Sequence, residues 1–197
     1  GHSAFLTLER VREKMKEGLT FAEATAAVKK TNIFTTHTPV PAGNDQFPLW
    51  LIDKYFPPMW GELGLTREQF IELGKQTQSW GETFSMPVLA IKLSERINAV
   101  SELHGKVARE MWNFLWSEKK VDEVPIGSIT NGIHINSWLA RRMRLLFDRY
   151  LGANWYDHMD DENLWKRIDL IPDIEIWDIR RHLKRKLINY AIESARL

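Results

Sequence analysis

Two short stretches of this chain read as β-strands and seven or eight read as helices, an imbalance that restricts its fold more than any other feature. Residues 32–36 carry β-branched and aromatic side chains with no helix cap before them, and residues 126–133 have the same character. Two short strands alone cannot satisfy one another's backbone groups and faces. The expectation is a predominantly helical α/β fragment whose remaining strands lie outside the chain. Its parent would be an open sheet, in which ligands sit beyond the carboxyl ends of the strands.

The helices announce themselves by spacing and caps. Phe5, Leu8, Val11 and Met15 predict an amphipathic helix ending near Gly18. Thr20 with Glu23 forms a capping-box pattern ahead of residues 21–29, and Thr66 with Gln69 repeats it ahead of 67–75. A helical pattern over 46–55 is followed by Pro57-Pro58, read as a break. An apolar region over 86–100 leads through Ser101 into a helix over 103–116. Trp138, Leu139, Met143, Leu146 and Tyr150 line one side of the next helix. Asp160, Asp161 and Glu162 begin a short helix to about residue 168, since carboxylates favour the positive end of the dipole. A long helix over 174–195 carries the stripe Ile176, Ile179, Leu183, Leu187 and Tyr190, with a solvated basic run from Arg180 to Lys186. Residues 1–150 read as part of a lobe with the two strands, and 151–197 as helices leading away from it.

Charge and composition remove whole classes of function. The 27 basic residues balance 26 acidic ones, so nothing draws the chain electrostatically to nucleic acid or to an anionic membrane. Every apolar run is interrupted long before the roughly 20 residues needed to cross a bilayer. With no cysteine there is no disulfide, thiolate metal site or cysteine nucleophile, and no HExxH or paired helical histidines point to a metal. No signal-peptide pattern opens the chain, so a cytoplasmic location is expected. Its start at Gly1-His2-Ser3 rather than methionine is read as a segment of something longer.

Two transitions from strand to polar loop remain as candidates, Thr35-Thr36-His37-Thr38-Pro39 and Thr130-Asn131-Gly132-Ile133-His134. Neutral sugar hydroxyls require donors and acceptors converging from fixed backbone, and His37 and Asn131 each offer both functions. Read singly, His37 is more often a satisfied loop histidine, and Asn131 is by default only a turn residue before glycine. His104 inside a helix reads as structural. Of nine tryptophans, most are expected in the core.

Four motifs taken together resemble the α-glucan phosphorylases that act on glycogen, starch and maltodextrin. They are Gly1-His2-Ser3-Ala4-Phe5, Thr36-His37-Thr38-Pro39-Val40-Pro41-Ala42-Gly43, Val100-Ser101-Glu102-Leu103-His104-Gly105, and Thr130-Asn131-Gly132-Ile133 through Trp138-Leu139. The resemblance spans essentially the whole chain and is closest to the bacterial and archaeal branch. Animal-type enzymes have a Leu-Pro-Glu segment after His-Thr, and here Ala42 stands in place of that glutamate.

The resemblance implies the C-terminal part of the first Rossmann-like domain of a two-domain GT-B glycosyltransferase. It implies reversible phosphorolysis of terminal α-1,4 linkages, with glucan and phosphate giving glucose 1-phosphate. His37 would then contact the hydroxymethyl group of the transferred glucose and Asn131 the same sugar. His2 would lie near the active-site cleft, and Val107 would pack beside the glucose. Trp138 would pack beside pyridoxal phosphate, the cofactor of such enzymes. The lysine holding that cofactor, and the basic residues gripping phosphate, belong to a later C-terminal domain, so this segment alone is expected to be inactive. The resemblance also leaves room for a homo-oligomer. Two rivals stand beside it: a glycogen or starch synthase relative, against which the Thr130 to Trp138 stretch argues, and a non-catalytic carbohydrate-binding module.

Overall fold

The computed structural model describes residues 1–195, which divide into two compact units between Asn131 and Gly132. In the first unit α1 (Phe5–Lys16) and α2 (Phe21–Lys29) precede β1 (Ile33–Thr36). After a loop come β2 (Gln46–Pro48), α3 (Leu49–Tyr55), α4 (Pro57–Glu62) and α5 (Arg67–Gly74). The hairpin of β3 (Lys75–Gln78) and β4 (Gly81–Ser85) leads into α6 (Met86–Lys92), β5 (Arg96–Ala99), α7 (Glu102–Trp112) and β6 (Ile126–Ser128). The second unit contains α8 (Ile135–Trp138), α9 (Arg141–Leu151), α10 (Glu162–Trp165) and α11 (Asp173–Ser194).

The strand count corrects the sequence-based expectation. The described residues hold six strands in two three-stranded sheets, one ordered β1-β5-β6 and parallel throughout, the other β2-β4-β3 and antiparallel. The class remains mixed α/β with small sheets. In the parallel sheet β5 is central, and the final residues of the strands stand in line, Thr36 beside Ala99 beside Ser128. Across its first pair, Thr35 Oγ1 donates to Asn98 Oδ1 at 3.0 Å. The unit β5-α7-β6 is a parallel crossover of the kind whose helix covers one face of a sheet.

α6 explains why the 86–100 region resisted division by pattern. Met86 to Ile91 are all buried, because the helix is enclosed on every side. Met86, Leu89 and Ala90 join a cluster with Leu8, Val11, Phe70 and Phe84, whereas Val88 and Ile91 join Ile97, Ala99, Ala108 and Trp112. The first cluster is threaded by aromatic contacts, Phe5 to Phe56 at 4.6 Å and Phe70 to Phe84 at 5.8 Å between ring centroids. The second unit has its own small core of Leu151, Trp155 and Leu164. There Trp155 Nε1 donates to Asp148 Oδ1 at 3.0 Å, and the indole meets Phe147 edge-on at 5.4 Å.

Other expectations also need correction. Residues 46–48 form β2 before the helix begins, because Pro48 takes an extended conformation and becomes the N-cap of α3. Pro57-Pro58 does break the helical run, α3 ending at Tyr55, and the pair also opens α4, as proline is tolerated where the helical N–H has no partner anyway. The helix expected over 103–116 ends at Trp112 and tightens into a 3-10 turn, and the strand expected over 126–133 ends at Ser128. Five of the nine tryptophans belong to the core clusters, as expected, Trp112 and Trp155 buried and Trp60, Trp116 and Trp165 half-buried against them, whereas Trp50, Trp80, Trp138 and Trp177 are each more than half exposed.

Candidate functional site

The carboxyl edge of the parallel sheet carries the loops singled out from sequence. β1 releases the chain at Thr36 directly into His37, and β6 releases it three residues before Asn131. Between them β5 leads through Val100 to Ser101, the N-cap of α7. The two outer strands lie two strand spacings apart, about 10 Å. His37 and Asn131 are both exposed, and both follow strands that end at this edge.

Each loop is held by local hydrogen bonds. After His37, Thr38 Oγ1 accepts the Val40 N–H at 3.1 Å, while Asn44 Nδ2 donates to the carbonyls of Thr38 at 3.3 Å and Val40 at 3.1 Å. Pro39 and Pro41 restrict the backbone further, so the loop is largely organised before any ligand arrives. On the other side, the Asn131 N–H donates to the Val100 carbonyl at 3.1 Å and the Ile129 N–H to the Ala99 carbonyl at 2.8 Å. Asn131 is thereby tied to the end of β5.

His2 is exposed, with Nδ1 4.0 Å from Asp45 Oδ2, so the first turn of the chain meets the end of the proline loop. Val107 lies on α7, half-buried, one turn beyond His104. Trp138 belongs to the second unit, where it ends α8 with 80% of its surface exposed.

Beside the proline loop a cavity of about 640 Å³ opens between Ala42, Asp45, Gln46, Gln76, Trp80 and Trp112. Its floor is a net of amides: Gln46 Nε2 donates to Gln76 Oε1 at 3.1 Å, and Thr83 Oγ1 to Gln46 Oε1 at 3.2 Å. His37 and Asn131 do not line it. Sequence reading missed this cavity because its walls come from segments far apart in the chain. The one local signal was Trp80, an aromatic residue at a two-residue hairpin tip where turn formers are usual.

Apart from Glu102 in the first turn of α7, the groups at the sheet edge are hydrogen-bonding ones without a fixed charge. The loops 37–44, 100–105 and 129–131 contain no lysine or arginine, so no amine is present there for a Schiff base and no cation for a phosphate. These loops therefore do not by themselves fit pyridoxal phosphate, and Trp138 contributes only an open ring face. No group of three His, Asp or Glu residues poised for a metal ion is present among the described residues.

Known proteins resemble this chain over nearly its whole length. The chain is 43% identical over 188 residues to maltodextrin phosphorylase of Thermococcus litoralis, covering 95% of this chain and 22% of the relative. It is 37% identical over 195 residues to glycogen phosphorylase of Mycobacterium tuberculosis, covering 95% and 22% respectively. The chain matches a segment of the α-glucan phosphorylases. Glycogen phosphorylase of Aquifex aeolicus extends the match at 33% identity over 195 residues, 99% of this chain and 28% of that protein. The segment thus spans roughly a quarter of the length of these phosphorylases, between 22% and 28%. No family model matches it. No helix among its described residues is long and apolar enough to cross a membrane.

Proposed function

We propose that this chain forms part of the glucose-binding wall of an α-glucan phosphorylase. In the reaction, a phosphate oxygen forms a bond to the anomeric carbon of the terminal glucose and the α-1,4 C–O bond breaks. The departing chain oxygen takes up a proton, and glucose 1-phosphate leaves with its configuration retained. The observation that carries the reading is the placement of His37 and Asn131 in loops that follow strands ending at one sheet edge, in a chain up to 43% identical to phosphorylases.

The imidazole of His37 can accept from one hydroxyl and donate to another, and the Asn131 amide can do the same, so the two hold a neutral hexose by direction rather than by charge. His37 is assigned to the hydroxymethyl group, Asn131 to the same sugar, Val107 to its apolar flank, and His2 with Asp45 to the rim. Trp138 is assigned to the pyridoxal phosphate, whose attachment lysine and phosphate-binding cations come from a C-terminal domain of the parent. The segment is placed in the first Rossmann-like domain of a GT-B fold in the cytoplasm, and alone it is inactive.

The test uses the full-length protein, assayed for phosphate-dependent release of glucose 1-phosphate from maltodextrin. His37→Ala and Asn131→Ala each remove a directed hydrogen bond, so kcat/KM should fall by one to two orders of magnitude, about 1–3 kcal/mol, with pyridoxal content unchanged. Full activity in both variants would refute the assignment.

A further inference from the structure

The six-residue segment between β5 and the second turn of α7 reaches both outer strand ends, through Val100, His104 and Gly105. Ser101 fixes the start of the helix, its Oγ accepting the His104 N–H at 3.1 Å and its carbonyl accepting the Gly105 N–H at 2.8 Å. The next contacts diverge. His104, only 8% exposed, brings Nε2 to 3.5 Å from Oγ1 of Thr36, which is 3% exposed and immediately precedes His37. Gly105 faces the opposite neighbour: a Cβ there would stand 3.2 Å from Ser128 Cβ and 3.7 Å from the Gly127 carbonyl oxygen, at the end of β6. The Val100 carbonyl accepts the Asn131 N–H, completing the second link.

We propose that His104 and Gly105 are positioning residues that set the separation of His37 and Asn131, an inference that rests on the sugar-binding role given to those two side chains. A buried imidazole in a helix, where leucine would fill similar space without desolvating a polar ring, requires a polar partner. The hydroxyl of Thr36 is that partner. At 3.5 Å the pair sits at the long limit of hydrogen-bond geometry, so it fixes the register of α7 against β1 as much as it bonds. Gly105 does the reverse on the other side. By lacking a side chain it lets the same turn of helix lie against β6. Consecutive residues of one helical turn thus hold the two strand ends that carry the sugar contacts, and neither touches substrate.

The full-length protein again supplies the test, with two readouts: KM against kcat for glucan phosphorolysis, and amide hydrogen exchange over residues 37–44. His104→Leu is expected to raise KM roughly tenfold, with kcat changed much less, and to speed exchange in that loop. His104→Gln, which keeps a donor near the position of Nε2, should restore most of both. Thr36→Val should reproduce the leucine effect, and the His104→Leu/Thr36→Val pair should be no worse than the larger single change, because the two act through one contact. Gly105→Ala should raise KM in the same way by displacing β6. Unchanged KM and exchange in His104→Leu, or losses that add in the double variant, would overturn the proposal. Should His104→Leu fail to fold, Thr36→Val decides, since an unaltered loop there is equally fatal. If the unmodified protein proves not to be a phosphorylase, the functional reading fails and loop exchange still judges the positioning role.

Discussion

Gly43 lies so close to Thr38 that an added Cβ would overlap the Thr38 Cγ2 methyl. Thr38 cannot easily move away, because its hydroxyl accepts from Val40 and its carbonyl accepts from Asn44. Alanine at position 43 should therefore push Thr38, and with it the neighbouring His37, at a cost typical of overpacking, about 1–3 kcal/mol. The expected outcome in the full-length protein is a lower melting temperature and a higher KM for glucan. Thr38→Ser removes the obstructing methyl while keeping the hydroxyl, so Gly43→Ala/Thr38→Ser should recover most of the loss. A double variant as impaired as the single would show that steric conflict is not the cause. At this scale, the position of His37 was readable as a polar residue directly after a strand, whereas Asn131, which the sequence set inside a strand over 126–133, lies three residues beyond the end of β6. The approach of His2 to Asp45 was not readable, since it joins residues more than forty positions apart.

Among the elements, the helix caps translate most directly from sequence to structure, because their partners lie within four residues. Both predicted capping boxes form, Thr20 with Glu23 and Thr66 with Gln69. In the first, the Glu23 carboxylate accepts the Thr20 N–H at 2.9 Å and the Thr20 hydroxyl at 2.7 Å, bonds that hold its pKa below the usual carboxylate value. Asp53 is lowered in the same direction by its two-pronged bond to Arg67, 2.5 Å to Nε and 2.8 Å to Nη2. A depressed folded-state pKa gives stability that is present above the unfolded carboxylate value, about 4, and lost as pH falls through the folded value. Melting curves from neutral pH down to about pH 3 should show this loss, and Glu23→Gln should flatten part of it. Equal acid dependence in the two proteins would dismiss the cap as a contributor. Thr20→Ala should cost about 1 kcal/mol at neutral pH. The strands were less legible, and for physical reasons. β5 follows a helix buried on all sides, so one apolar run covers two elements and no period separates them. β3 and β4 pair Lys75-Gln76-Thr77-Gln78 with Gly81-Glu82-Thr83-Phe84, a largely polar pairing whose burial begins only at Thr83.

At the scale of the molecule, large apolar side chains remain on the surface. Trp177 is 59% and Leu187 66% exposed on α11, where they line one open groove with Met143, and Ile33 is 69% exposed on β1, at an edge of the parallel sheet. Parallel sheets are ordinarily covered on both faces, and apolar surface of this kind marks a place where protein packs on protein. The chain corresponds to roughly a quarter of its phosphorylase relatives, between 22% and 28% of their length, and on the proposed function the partner to test is the remainder of such an enzyme. The 197-residue chain prepared alone should then self-associate, its sedimentation coefficient rising with concentration. Because the groove lies on a helix with no buried residue, Trp177→Lys/Leu187→Lys should suppress that association while leaving the far-ultraviolet circular dichroism intact. A chain that stays monomeric at every concentration, or a double variant that associates as strongly as the original, would mean that α11 is not the face awaiting cover.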